Sequence, residues 1–145
     1  MHILPGRPPG KPDQMSPIRA AVPHDLGRGR PPAEVTMEFS HNQLHRWLEV
    51  PHLRWMLRRD FGATDCLVDL GFHLVDLLLW LRPEASIALT DAQRSSTAGI
   101  GLATEGIAHL DWGGTPVEIR TSWCSQERLS GSFKWDDGSV SFDRG

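Results

Sequence analysis

Asp69, His73 and Asp76 stand out in the run CLVDLGFHLVDLLLWL, where every other residue except Gly71 is apolar. The spacing predicts a helix over 66–81. At about 100° per residue the three ionisable side chains fall within roughly 60° of one another. A carboxylate one turn from an imidazole is a workable acid–base unit: the ring can take or return a proton at a substrate hydroxyl while the carboxylate orients the ring or binds a second hydroxyl. Groups like these are costly to bury without partners. Spacing alone therefore leaves two readings open, a self-satisfied Asp69–His73 pair that holds the helix against its neighbours, or a polar stripe that faces a pocket. Gly71 costs up to about 1 kcal/mol in mid-helix relative to alanine and is expected to mark a close approach by backbone or ligand.

Other chemistry-bearing patterns are weaker. HNQLH, from His41 to His45, has the spacing of two zinc ligands on a helix, but Asn42 stands where a zinc protease needs its glutamate base. Surface histidines without a metal are the expectation there, and the alternative is a metal site completed by His52 or Asp60. His109 shares a strand face with Ile107 and Asp111 and reads as a sheet-packing residue. GRGRPP and TAGIGLATEG lack the strand before and the helix after that a phosphate-binding loop requires. Cys66 and Cys124, the only cysteines, match no metal or redox spacing and are expected to be buried thiols of a reducing compartment.

The elements that must position these residues begin after a proline-rich arm. Residues 1–32 hold eight of the eleven prolines, a density that removes backbone donors and predicts an extended or disordered segment. From Ala33 the chain reads as one domain, 33–145. Val35, Met37 and Phe39 alternate with polar residues as in a half-buried strand. Pro51 divides the next stretch into two short helices, Thr64 or Asp65 can cap the apolar helix, and Arg82-Pro83 stops it. SIALTD, EGIAHLDW, PVEIRTSW, LSGSFKW and SVSF follow as strands, with hairpin turns at GGT and DDG and a loop over 93–104. The prediction is an α+β fold: an antiparallel meander of five or six strands covered on one face by the buried helix and the short helices. Trp112, Trp123, Phe133 and Trp135 are more aromatic surface than one helix layer covers, so a sheet face is expected either to join subunits in a homo-oligomer or to lie under the helices around Trp47 and Trp55. A net charge of -3 without a basic patch argues against nucleic acid. The apolar helix is too short and too polar to span a membrane, and the N-terminus has no signal-peptide core, so a cytoplasmic protein is expected.

GATDCLVDLGFHLVDLLLWL resembles a segment of the Gfo/Idh/MocA family of NAD(P)-dependent oxidoreductases, which carry D-x-G-x-H-x-x-D followed by an apolar stretch ending in W-L; Asp69, Gly71, His73, Asp76, Trp80 and Leu81 match. LGRGRPPAEVTMEFSH is similar to that family's entry strand, and the hairpins ending SGSFKWDDGSVSFDR to its large sheet, so that roughly Gly27 to Gly145 is covered. The resemblance implies that His73 is the acid/base acting on a hydroxyl of a small sugar or polyol, that Asp69 and Asp76 lie with it on the substrate side, and that the sheet face makes the oligomer contact. It also implies a truncated form: a substrate and oligomerisation domain without the cofactor domain, with no cofactor of its own. NAD(P) would be brought by a separate dinucleotide-binding chain, and the domain alone would be inactive. The alternative is a non-catalytic scaffold domain in which the Asp–His pair is structural.

Overall fold

The computed structural model of the chain describes Arg19, Val22, Leu26 and residues 29–58, 64–97 and 100–144. Six strands form a single mixed sheet: β1 (Glu34–Ser40), β2 (Ile87–Ser95), β3 (Glu105–Trp112), β4 (Thr115–Ser122), β5 (Arg128–Trp135) and β6 (Gly138–Arg144). Helices α1 (Leu44–Glu49) and α2 (Cys66–Leu81), with a 3-10 turn at Pro51–Leu57 between them, complete an α+β architecture. The proline at the head of the 3-10 turn separates it from α1, as its position in the sequence predicts.

Helix α2 forms where its apolar residues demand one. Asp65 caps it by accepting a hydrogen bond from the Val68 N–H at 2.9 Å, and Arg82, just before Pro83, closes it. Leu74, Leu77, Leu78 and Leu81 pack onto Val35, Ala108, Leu110, Trp112, Val117, Ile119 and Phe133 from the strands. A second cluster, containing Cys66, Leu70, Leu44, Trp47, Leu102 and Trp123, joins the N-terminal half of α2 to α1 and to the end of β4.

The strand order is β2-β3-β4-β1-β5-β6, with β1 parallel to β4 and every other pairing antiparallel. The expected uninterrupted meander is thus corrected: β1 lies between β4 and β5, leaving a three-strand meander and a separate hairpin. The five residues 123–127 joining β4 to β5 easily cross the roughly 10 Å of a one-strand gap, so local hairpin signals do not decide adjacency there. The GGT turn forms as expected, with Gly113 and Gly114 at φ 56° and 93°, the conformation that a tight two-residue hairpin needs. Strand β2 takes up Gln93–Ser95 from the predicted loop, pairing them with Ile107, Gly106 and Glu105.

Three of the four aromatic residues are covered within the chain, and Trp135 is partly exposed. Trp112 and Phe133 are fully buried under α2, and Trp123 is 1% exposed beside Trp47; Trp55, by contrast, is half exposed and covers little. The opposite face of the sheet is polar: Thr36, Glu38, His109, Glu118, Arg120, Ser130 and Ser132 project there. His109 is not a packing residue but lies 3.6 Å from both Asp91 and Glu118 in a charged row. Cys66 is buried as expected, whereas Cys124 is exposed, because it stands just past the end of β4 with its Sγ 3.4 Å from Glu105. Of the proline-rich arm, most lies outside the described residues, but Val22 and Leu26 are buried in the main core. The predicted glycine turn after Arg58 also falls largely outside them. No helix among the described residues is long and apolar enough to cross a membrane.

Candidate functional site

The polar stripe of α2 survives in the structure, but not as a self-satisfied pair. Asp69 is half-buried, and its Oδ2 accepts a hydrogen bond from the Trp123 indole Nε1–H at 3.0 Å. His73 is exposed, its ring 5.9 Å from that of Phe39 and 6.2 Å from that of Phe72. No hydrogen bond joins Asp69 to His73 among the described residues. Asp76, one turn further on, forms an ion pair with Arg19 at 2.9 Å, and the same guanidinium lies over the Trp80 ring. The three predicted residues therefore share one flank of α2 with three different environments: a carboxylate on a neutral donor, an open imidazole, and a carboxylate neutralised by the arm.

Gly71 does not mark a close approach. A Cβ there would meet only Leu67 Cδ1 at an ordinary 3.6 Å. The close approach lies on the sheet instead, at Gly106, where a Cβ would fall 2.8 Å from Leu67 Cβ. That contact lets the first turns of α2 settle onto β3 and brings Asp69 within reach of Trp123.

His41 joins this site in a role that the sequence does not suggest. It precedes α1 rather than riding on it, so the zinc-like spacing to His45 is not a helical one, and no group of three metal-binding side chains converges among the described residues. Its Nδ1 accepts the Gln43 backbone N–H at 3.2 Å, which places the ring proton of the neutral imidazole on Nε2. The ring stands edge-on to Trp47 at 5.5 Å. Burial pushes its pKa below 6.5, with the charges of Asp69 and, less strongly, Glu127 pulling it back up. Asp69 thus acts on an imidazole 28 positions upstream, an influence that no local pattern predicts. Burial also raises the Cys66 thiol to about 12, so this cysteine beside the site stays protonated.

The N-terminus of α2 is the natural place for a pyrophosphate, but its first turn is acidic: Asp65 caps it and pairs with Arg94 at 2.8 Å, and Asp69 follows one turn on. Two shallow depressions of about 460 and 340 Å3 lie on the polar sheet face, and neither is lined by Asp69, His73 or Asp76.

This layered sheet-and-helix arrangement is shared with solved structures that include dehydrogenases bound to NAD+ or NADH. They include GenD2 from gentamicin A biosynthesis in complex with NAD, at 21% identity and a TM-score of 0.67 over 83% of this chain and 35% of its own. An inositol dehydrogenase homolog from Azotobacter vinelandii, complexed with NAD+, matches at 18% identity and a TM-score of 0.66 over 81% of this chain and 32% of its own. The WlbA dehydrogenase from Bordetella pertussis, in complex with NADH and UDP-GlcNAcA, matches at 21% and 0.64 over 83% and 36%. At these identities the likeness is one of fold, and the chain spans about a third of the length of the structures it matches. No family model and no curated protein matches the sequence.

Proposed function

We propose that this chain is a substrate-binding and oligomerisation domain of the Gfo/Idh/MocA type, acting on a hydroxyl of a sugar or cyclitol. The observation that carries the reading is the open flank of α2, where an exposed imidazole lies one turn from a carboxylate on a fold shared with dehydrogenases that bind NAD+ or NADH. In this reading His73 accepts the hydroxyl proton as the carbinol carbon is oxidised, and Asp69 Oδ1, free of the indole, accepts a hydrogen bond from a neighbouring hydroxyl. Asp76, already paired with Arg19, lies beside the substrate rather than in the proton transfer. In this reading the hydride passes to NAD(P) brought by a dinucleotide-binding partner. The exposed apolar flank of α2, with Val68, Phe72 and Leu79, is the surface against which a dinucleotide-binding partner would close the site. The polar sheet face is assigned the contact between copies, which sedimentation equilibrium checks.

The alternative is a scaffold domain in which the Asp69–His73 pair is structural, and against it stands the bond of Asp69 to Trp123 rather than to the ring of His73. Replacing the exposed ring in His73→Ala is expected to change unfolding free energy by no more than about 0.5 kcal/mol, whereas a structural pair would cost a few. The direct test follows the His73 ring by NMR while cyclitols, hexoses and nucleotide sugars are added at tens of millimolar. Its resonances should move with at least one of them and fail to move in Asp69→Asn; silence across the whole panel would remove the reading. Calorimetry of the chain with NAD+ should show no micromolar binding, and such binding would overturn the absence of a cofactor site.

A further inference from the structure

We propose that Trp123 is a positioning residue of this site: its indole N–H selects the orientation of the Asp69 carboxylate that leaves Oδ1 for a ligand hydroxyl. The inference rests on the reading of Asp69 and His73 as substrate-facing and adds the residue that sets their geometry. An aspartate on an open helix flank has several staggered χ1 states within reach. Here one is held by the 3.0 Å bond to a ring that cannot move aside. Trp123 is 1% exposed, and its backbone fastens two other segments: its N–H donates to Thr104 O at 2.9 Å, and its carbonyl accepts from Leu44 N–H at 3.2 Å. Trp47 stands edge-on to it at 5.1 Å and edge-on to His41 on the other side. A continuous packed row, His41–Trp47–Trp123–Asp69, thus holds an imidazole and a carboxylate in place from outside the helix.

The chemistry of the acceptor distinguishes this contact from that of Trp135, a partly exposed indole. Trp135 satisfies its N–H on a backbone carbonyl, that of Arg30 at 2.9 Å, and no site follows from it. Trp123 spends its N–H on a carboxylate. An indole is a neutral donor only, so it orients Asp69 without cancelling its charge, in contrast to Arg19 at Asp76. The charge at Oδ1 therefore remains available to a ligand hydroxyl.

The test compares the full chain with W123F and D69N by NMR titration of the histidine rings. Removing the Asp69 charge in D69N should lower the His41 midpoint, and W123F, which frees the carboxylate to swing toward solvent, should lower it by a similar amount. If D69N lowers the His41 midpoint and W123F leaves it at the native value, Trp123 does not position Asp69 and the proposal fails. If D69N itself leaves His41 unmoved, the placement of Asp69 in the site fails with it. Should W123F not fold, the native indole decides: its Nε1–H resonance must shift in D69N, and an unchanged resonance overturns the proposal.

Discussion

His41 carries a pH dependence that the helix motif alone does not imply. In the folded chain, burial holds its pKa below the ordinary 6.5, so around that value the unfolded chain binds a proton more readily than the folded one. The stabilisation linked to the neutral ring is complete above the unfolded midpoint and is lost as pH falls through it toward the folded value. His41→Asn places an amide oxygen where Nδ1 accepts the Gln43 N–H, but does not titrate. The native chain is therefore expected to lose unfolding free energy more steeply than His41→Asn as pH drops below 6.5. Urea unfolding at a series of pH values measures the difference, and parallel curves would mean that the ring is as solvated folded as unfolded. The residues of α2 were legible in the sequence because one helix places Asp69, His73 and Asp76 on one flank. Their partners were not: Trp123 is 54 residues from Asp69, and the link depends on where β4 ends.

At the scale of elements, α2 announced itself through its apolar period, its Asp65 cap and the proline after Arg82, all of which act within a few residues. The central place of β1 did not, since strand order depends on which edges remain to be paired and on the reach of 123–127. Glycine shows the same limit. Gly71 looks functional in sequence, yet it has ordinary room, while Gly106, unremarked in the strand pattern, lies so close under the helix that a Cβ would not fit. The two should respond in opposite ways to alanine. Gly71→Ala fills free space and restores helix propensity, a gain of about 0.5–1 kcal/mol. Gly106→Ala drives a Cβ against Leu67 Cβ, an atom fixed to the helix backbone, and should cost about 1–3 kcal/mol through overpacking. Denaturant midpoints of the two variants check the pair. Equal and small effects would mean that α2 can lift from β3 without cost, and with it that Asp69 is only loosely set against Trp123.

At the scale of the molecule, the question is how far the proline-rich segment belongs to the fold. Its composition predicts an arm outside the core, because proline withholds backbone donors and frustrates regular pairing. Apolar residues embedded in such a segment can still pack, and two do. Val22 and Leu26 are 3% and 5% exposed and lie in the same cluster as Val35, Trp112 and Phe133. The chain that follows is tied down by hydrogen bonds: Thr115 Oγ1 donates to Pro32 O at 2.8 Å, and Ala33 N–H donates to Lys134 O at 2.7 Å. Arg19 reaches Asp76 from the same segment, so the arm meets α2 on the flank that carries the candidate site. If Leu26 is core, Leu26→Ala removes buried side-chain carbons and leaves a cavity, at a cost of about 2–4 kcal/mol. A leucine on a detached arm would change stability by less than about 0.5 kcal/mol. The loss should also reach the site, because loosening the arm frees Arg19 from Asp76 and exposes the Trp80 face that its guanidinium covers. Urea unfolding of Leu26→Ala, followed by tryptophan fluorescence, tests both at once: the midpoint should fall and the native emission should shift toward that of solvated indole. A midpoint equal to that of the native chain would mean that Leu26 contributes nothing to the core.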